Sequence, residues 1–217
     1  MKTHPTPALF AGVALQKAGA KLACFLLLCG ALASCASQPR NTVAQAQPPP
    51  LYDWHGDGVS GPTTVNVVLN EQKAYIYRGG QPAGWTYLAS GKSGHATPTG
   101  TFSVLEKRSE KSSGTYGAIV DSSGRVIDSD ATAGREPIPR GSHFVGARMP
   151  YWMRLTGGGI GMHAGIIPQP GLPASHGCIR LPAAMTAKLY DVVDVGSKVV
   201  VTYDAPASSP QLTASAE

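Results

Sequence analysis

Short apolar segments interrupted by glycine and proline are the feature that most constrains the fold of this chain. The sequence contains 26 glycines and 18 prolines among 217 residues, and that many turn-forming residues argue against a helical bundle. From Thr64 onward apolar and polar residues alternate, as in Val65, Val67 and Leu69, which is typical of half-buried strands. The sequence therefore predicts one strand-rich domain over residues 64–204 with little helix.

One segment of this domain has the periodicity of a helix. Met185, Leu189 and Val193 recur on one helical face, and Pro182 is suited to the first turn. The polar stretch of residues 106–142 fits either a solvated loop or hairpin, or a lid over a functional site, because excursions of this length are often functional. The sequence alone supports both interpretations of this stretch.

Residues 1–34 have the features of an export signal. Lys17 and Lys21 precede the apolar run of residues 22–32. This run is too short to cross a bilayer, since a spanning helix needs about 20 residues. A basic segment followed by a short apolar run predicts a signal peptide.

A lipobox-like sequence ends the apolar run. Residues 32–35 are Leu-Ala-Ser-Cys, which resembles the bacterial lipoprotein signal and predicts that Cys35 is lipidated; the alternative is an ordinary signal peptide. Residues 35–63 are predicted to be a flexible, lipid-anchored tether, and residues 205–217 a disordered tail. The lipid would place the domain on the periplasmic side of the cell envelope, and Ala36 favours the outer membrane in a Gram-negative cell.

The charge distribution excludes one class of partner. Three lysines of the predicted leader are among the 18 basic residues, which leaves 15 against 13 acidic residues. Basic runs interleaved with aromatic residues are absent, so we predict no binding to nucleic acid. The sequence has no glycine-rich phosphate loop either, and we predict no cofactor.

The cysteines point to reactive chemistry. Of the four cysteines, two lie in the predicted leader and Cys35 is the predicted lipidation site, which leaves Cys178 alone in the mature domain. A single thiol in an oxidising compartment has no disulfide partner and is a candidate nucleophile.

Cys178 lies in a segment rich in groups that could activate it. Residues 175–180 are Ser-His-Gly-Cys-Ile-Arg, and His163 lies upstream. A thiol is a good nucleophile only as the thiolate, and both His163 and His176 are candidates to take its proton. His176 and Arg180 are each two residues from Cys178, hence on the same face of an extended chain. Zinc binding by these groups would need a further ligand, which is not evident, and we predict no metal site.

This motif resembles the catalytic domain of the L,D-transpeptidase family, also called YkuD-type. The family pattern is a histidine on one strand, a loop, and then Ser/Thr-His-Gly-Cys-x-Arg. Residues 65–105 and 149–155 are also similar to the family. The resemblance implies a mainly β fold, a mixed β-sandwich or barrel with one or two short helices.

The resemblance also implies roles for the motif residues. It makes Cys178 the nucleophile and His163 the general base, steadied by the backbone carbonyl of Ala164, with His176 in support. Gly177 lets the backbone approach an acyl group closely. The amides of Gly177, Cys178 and His176 are candidates to bind a developing oxyanion.

Four further residues have two interpretations each. Arg180 suits either a substrate carboxylate or a structural salt bridge. Ser175 either bonds a catalytic histidine or shapes the turn. Tyr151 and Trp152 either line a substrate groove or, like Met153, belong to the core.

The activity that the resemblance implies is peptidoglycan L,D-transpeptidation. The thiolate would attack the diaminopimelate carbonyl of a tetrapeptide stem, release D-Ala and pass the acyl group to an amine. The amine of a second stem gives a 3–3 crosslink, and the lysine of an envelope protein gives an anchored protein. The alternatives are a carboxypeptidase or amidase that uses water, and a non-catalytic wall-binding module. The expected partners are therefore stem peptides, an envelope protein as acceptor, and the membrane through the N-terminal lipid.

Overall fold

The computed structural model of the protein describes residues 49–205. The predicted signal peptide, the lipidation site Cys35 and residues 206–217 lie outside this range. In chain order the strands are β1 (Tyr52–Trp54), β2 (Thr63–Val68), β3 (Lys73–Arg78), β4 (Gln81–Tyr87), β5 (Gly100–Ser103), β6 (Glu106–Arg108), β7 (Ser112–Val120), β8 (Val126–Thr132), β9 (His143–Arg148), β10 (Trp152–Arg154), β11 (Gly161–Ala164), β12 (Ile179–Leu181) and β13 (Lys198–Thr202). A 3-10 turn spans Gly56–Gly58, and the helix α1 spans Ala183–Val192.

The strands form three sheets. Six strands lie in the order β1-β4-β3-β2-β13-β5, four in the order β12-β11-β10-β6, and three in the order β8-β7-β9. Most neighbours are antiparallel, but β13 pairs with β2 and β11 pairs with β12 in parallel. The mainly β fold expected from the sequence is confirmed.

The alternating pattern of β2 and β3 produces the core. Val65 and Val67 of β2 and Ile76 of β3 are fully buried, while the residues between them are half-buried. They pack in one cluster with Met162 of β11 and Leu189 of α1, so the six-stranded and four-stranded sheets share a core with the helix. Burying each such side chain contributes about 1.5–3 kcal/mol.

The helix follows the predicted pattern. Met185 and Leu189 are fully buried, and Pro182 occupies the position just before the first turn, where its missing N–H costs no hydrogen bond. No helix within residues 49–205 is long and apolar enough to cross a membrane.

The predicted tether is wrong over its last part. Tyr52–Trp54 form the edge strand β1, paired antiparallel with β4, and Trp54 packs against the core. The indole of Trp54 donates to the Asp57 carboxylate at 2.6 Å. The domain therefore begins at the edge strand β1, before Thr64. The sequence did not predict this strand because three residues are too few to show an alternating pattern. Residues 35–48 of the predicted tether lie outside the described range.

The polar stretch of residues 106–142 forms strands. It contains β6, β7 and β8, and β7 pairs with both β8 and β9. The stretch therefore forms a hairpin, and residues of β7 line the cavity described below.

Candidate active site

Cys178 opens into a cavity of about 620 Å³. One side of this cavity, which we call the thiol wall, consists of Gly158–Ile160, His163, Gly165, Ile166, Ser175, His176, Cys178 and Arg180. The other side, the hairpin wall, consists of Lys111, Ser113–Tyr116 and Ala147–Met149. The thiol wall comes from β11, β12 and the loops next to them, and the hairpin wall from β7, the end of β9 and the residues next to them.

The parallel pair of β11 and β12 sets the central residues of the thiol wall. His163 is the register partner of Arg180, so their side chains lie on the same face. Cys178 is two residues before Arg180 and lines the same cavity as both. The structure therefore brings His163, Cys178 and Arg180 to one cavity, as the sequence motif predicted.

Residues 175–178, the thiol loop, are held by a neighbouring loop. The carbonyl of Ser90 accepts hydrogen bonds from the amides of Ala174 and Ser175, both at 2.9 Å. The hydroxyl of Thr97 donates to the carbonyl of Gly177 and accepts from the amide of Gly91, both at 2.8 Å. These bonds join the thiol loop to residues 90–97 through the backbone of Ser90 and the side chain of Thr97.

Gln72 extends this support to the core. Its buried amide group donates to the Ser90 hydroxyl at 2.8 Å and accepts from the Ser90 amide at 2.9 Å. A buried amide with several partners fixes its surroundings, because any displacement leaves a polar group unpaired. The β2–β3 turn thus positions Ser90, and Ser90 positions the thiol loop.

Ser175 shapes the turn of the thiol loop. Its buried hydroxyl donates to the carbonyl of Cys178 and accepts from the amide of Gly177 at 3.1 Å. The interpretation that Ser175 bonds a catalytic histidine does not agree with these partners. Gly177 has φ +108°, and a Cβ there would lie 2.8 Å from the Ile160 side chain, so glycine is required.

The same bond corrects the prediction for the oxyanion donors. The Gly177 amide is engaged by Ser175 and does not point into the cavity as a free donor. Within residues 49–205, the amides of His176 and Cys178 make no hydrogen bond. Those two amides remain as candidates for an oxyanion site.

Burial raises the pKa of the Cys178 thiol. The Gly161 amide and the charges of Arg180 and Lys111 act in the opposite direction, but less strongly. Sγ lies 3.8 Å from the carbonyl oxygen of Gly159. The resting thiol is therefore protonated at neutral pH and needs a base.

His163 is suited to be that base. Its ring is buried, and Nδ1 lies 2.9 Å from the carbonyl oxygen of Ala164, the partner that the family resemblance implies. A carbonyl only accepts, so Nδ1 carries the proton and Nε2 keeps a free lone pair. Burial, with a smaller contribution from the Arg180 charge, lowers the pKa of His163 to about 4, although the Ala164 hydrogen bond acts in the opposite direction. Thiol and imidazole are thus both neutral before reaction.

His176 occupies a different environment. Its ring stacks on Tyr116 of β7 with centroids 4.1 Å apart, and meets the edge of His95 at 4.6 Å. Nε2 of His176 lies 3.2 Å from one carboxylate oxygen of Asp130 on β8. The other carboxylate oxygen of Asp130 lies 2.6 Å from Nζ of Lys92. Burial, followed by the Lys92 charge, lowers the pKa of His176. These contacts fit a supporting role, joining the thiol loop to the hairpin.

Arg180 lines the cavity without an acidic partner. No Asp or Glu side chain of residues 49–205 lies within 4.0 Å of its guanidinium. The structural salt bridge left open by the sequence is therefore not observed, which favours a ligand carboxylate.

Tyr151 and Trp152 do not line the cavity that holds the thiol. Trp152 is 1% exposed and lies with its ring centroid 6.1 Å from that of His163, and Met153 is in the core. Tyr151 packs against Tyr190 of α1 at 5.5 Å. For Trp152 the core interpretation agrees with the structure, because β10 is an interior strand between β11 and β6; Tyr151 is half-buried and lies outside β10. Trp152 borders only a second cavity of about 150 Å³.

Sequence reasoning missed several residues of the site. Lys111 and Tyr116 line the cavity, and His95 and Asp130 surround His176. Lys111 belongs to a charged run at the start of residues 106–142, for which the sequence supports both a solvated segment and a lid, and no motif marks Lys111 itself or the other residues. Within the described range, no three His, Cys, Asp or Glu side chains are grouped as metal ligands.

The fold and the site define a class of protein: a β-rich domain in which a thiol and a buried neutral imidazole share one cavity, as in cysteine-dependent acyl transfer. The family model of the L,D-transpeptidase catalytic domain matches residues 62–201. The chain belongs to the L,D-transpeptidase catalytic domain family.

Solved structures are similar to this chain in fold. An L,D-transpeptidase from Mycobacterium smegmatis is 23% identical with a TM-score of 0.50, covering 65% of this chain and 59% of that one. An L,D-transpeptidase from Stackebrandtia nassauensis is 23% identical with a TM-score of 0.47, covering 69% and 61%. A mutant L,D-transpeptidase from Enterococcus faecium is 25% identical with a TM-score of 0.49, covering 66% and 50%.

This chain thus spans less than two thirds of the length of each of these structures. No curated protein sequence matches the chain significantly.

Proposed function

We propose that the protein is a cysteine-dependent L,D-transpeptidase of the cell envelope. The observation that carries the proposal is the shared cavity of Cys178 and His163, in which Nδ1 of His163 is held by a carbonyl. That bond leaves Nε2 available for the thiol proton. Family membership supports the choice of acyl transfer over other thiol chemistry.

The first half of the reaction forms a thioester. The Cys178 thiol gives its proton to Nε2 of His163 and attacks the diaminopimelate carbonyl of a tetrapeptide stem. The developing oxyanion accepts hydrogen bonds from the amides of Cys178 and His176. The carbon–nitrogen bond to D-Ala breaks, and the imidazolium of His163 protonates the departing amine.

The second half returns the enzyme to its resting state. A neutral acceptor amine attacks the thioester, and His163 takes the proton that the amine loses. The carbon–sulfur bond breaks, and the proton passes from His163 to the thiolate. The acceptor is the amine of a second stem or the lysine of an envelope protein; with water the product is a shortened stem.

The proposed location is the periplasmic side of the envelope, with the domain held by a lipid on Cys35. The lipobox-like residues 32–35 support this part. Labelling cells with a radioactive fatty acid tests it, since the Cys35→Ala variant should lose the label that the parent chain carries.

The experiment for the activity compares the full chain with its Cys178→Ala variant. Both are incubated with disaccharide-tetrapeptide, and the products are identified by mass spectrometry. A Cys178-dependent dimer that lacks one D-Ala supports transpeptidation. A Cys178-dependent tripeptide monomer indicates hydrolysis, and addition of a lysine-bearing envelope protein then tests for a protein acceptor.

A carbapenem provides an independent readout of the same thiol. The family resemblance predicts a covalent adduct on Cys178, visible as a mass shift of the peptide that contains it. Absence of both a Cys178-dependent product and this adduct would overturn the proposal and favour a wall-binding module.

A further inference from the structure

The cavity that holds the thiol is strongly cationic. Within the described part of the chain, its lining includes Lys111, Arg148 and Arg180 but no aspartate or glutamate. A cavity lined by one sign of charge concentrates ligands of the opposite sign. Its ligand should therefore be an anion.

The three cations are not equally available. Arg148 is paired with Glu110 at 3.0 Å and is largely exposed, so its charge is neutralised and screened. Lys111 and Arg180 have no carboxylate of residues 49–205 within 4.0 Å. Two unpaired cations remain, one on each wall.

Lys111 is held in place although its amine is free. Its backbone carbonyl accepts from the amide of Met149 at 2.8 Å, which ties it to the end of β9. Nζ lies 5.4 Å from the ring centroid of Trp152, a distance at which a cation is attracted to the ring face. The ammonium group is thus positioned beside the cavity without being neutralised.

Lys111 and Arg180 come from different elements. Lys111 lies between β6 and β7 on the hairpin wall, whereas Arg180 lies in β12 on the thiol wall. The charges of both favour the Cys178 thiolate, so both lie within electrostatic reach of the reacting sulfur. A ligand that bridges the walls at the thiol would meet one cation on each side.

We propose that Lys111 and Arg180 form two separate carboxylate positions, and that Lys111 selects acyl donors in which both carboxylates next to the scissile bond are free. This inference rests on the proposed function, because in a tetrapeptide stem the two carboxylates nearest the scissile bond are that of the terminal D-Ala and that of the diaminopimelate side chain. Each cation holds one of them. Stems in which either carboxylate is converted to an amide are poor donors, because an amide leaves a cation unpaired.

The first test uses two alkylating reagents and does not depend on transpeptidation. Iodoacetate and iodoacetamide have nearly the same size, and each forms a carbon–sulfur bond with the thiolate while iodide leaves. The ratio of their rates at Cys178 cancels any change in thiol pKa and reports the charge that the reagent meets. Peptide mass spectrometry of the full chain assigns the adduct, since the sequence contains four cysteines.

In the parent chain, iodoacetate should alkylate Cys178 faster than iodoacetamide does. In Lys111→Gln the ratio of the two rates should fall by about fivefold, the effect of losing one partly screened attraction between unlike charges. Lys198→Gln is the matched control, because Lys198 is an exposed lysine of β13 outside the cavity. Arg148→Gln should change the ratio less than Lys111→Gln, because Glu110 already neutralises Arg148. An unchanged ratio in Lys111→Gln would overturn the proposal.

The second test measures donor selectivity with three tetrapeptide stems. One has both carboxylates free, one is an amide at the diaminopimelate side chain, and one is an amide at D-Ala. The parent chain should lose about tenfold in kcat/KM for each amide, the effect of one charged hydrogen bond. In Lys111→Gln the penalty for one of the two amides should disappear while the other stays.

The two tests separate the two proposals. If Lys111→Gln retains both penalties, the assignment of Lys111 is wrong although transpeptidation holds. If the alkylation ratio depends on Lys111 but no stem is converted, the carboxylate position stands and the proposed function fails.

Discussion

The two walls of the cavity are built in opposite ways. On the thiol wall, His163 and the thiol loop are buried or half-buried, and the loop is tied to the core through Ser90, Thr97 and Gln72 by backbone and side-chain hydrogen bonds. The hairpin wall is more exposed, and its one ion pair, Arg148 with Glu110, lies at the surface, whereas Lys111 has no carboxylate partner within residues 49–205. Hydrogen bonds in the interior fix atoms far more firmly than exposed ion pairs do.

This difference separates two tasks. Chemistry needs a thiol, a base and oxyanion donors held to within a fraction of an ångström, and these groups lie on the thiol wall. Discrimination between substrates tolerates more freedom, and the hairpin wall offers Lys111 and Tyr116 for it. Changes to Cys178, His163 or the thiol loop should therefore lower kcat strongly, whereas changes to Lys111 on the hairpin wall should alter selectivity.

The largest effect is expected for removal of the base. His163→Gln should lower kcat by about 10²–10⁴, the contribution of a positioned general base, with thermal stability and circular dichroism retained. His143→Gln on β9 removes an exposed histidine of the sheet behind the hairpin wall and should leave kcat unchanged. Equal losses in both variants would contradict the division of tasks.

The pH dependence of catalysis tests the same residue without mutation. His163 must be neutral to accept the thiol proton, and burial lowers its pKa to about 4. Activity present at neutral pH should therefore persist as the pH falls and be lost only near pH 4. The measurement is kcat/KM against pH, which reports the free enzyme. An acid limb near 6.5, the ordinary value for histidine, would mean that a less buried group is the base.

Removing the support of the thiol loop should have an intermediate effect. Thr97→Val leaves the Gly177 carbonyl and the Gly91 amide without their partner, which should cost about 1–3 kcal/mol of unfolding free energy and lower kcat. Thr115→Val is the matched change on the hairpin wall, where the hydroxyl is exposed and makes no hydrogen bond within residues 49–205. Its cost should stay below about 0.5 kcal/mol. Chemical denaturation of both variants measures the difference.

The smallest effect is expected for the ion pair between the walls. Asp130→Asn removes the carboxylate that raises the pKa of His176, so that pKa should fall further below its ordinary value. Activity should change by less than about threefold, because exposed ion pairs contribute little. An NMR titration of His176 measures the shift, with Asp191→Asn on α1 as control. A pKa that rises or stays constant would show that Asp130 does not face His176 in solution.

Local patterns in the sequence were sufficient for the core strands β2 and β3, the helix and the reactive segment. Alternation at Val65 and Val67 and the helical spacing of Met185 and Leu189 report burial directly, because each depends on neighbours within one element. The clustering of His163, Cys178 and Arg180 followed from a compact motif and its resemblance to the family.

The failures arise where the outcome depends on packing. The sequence left Trp152 open between a substrate groove and the core, offered the Gly177 amide to an oxyanion, and treated Tyr52–Trp54 as tether. Trp152 and Tyr52–Trp54 depend on distant strands, β11 and β6 on either side of β10 and the edge of β4, whereas the Gly177 amide depends on the direction in which the nearby Ser175 hydroxyl points.

By itself, then, the sequence determined the mainly β class, the nucleophile and its candidate bases, because these features depend on residue types that lie close together in the chain. Only the tertiary structure decided which imidazole is buried beside the thiol, which amides stay free, and which cation of a charge run reaches the cavity. Burial and pairing between residues far apart in the chain are properties of packing, and packing sets both the pKa of His163 and the free charge of Lys111.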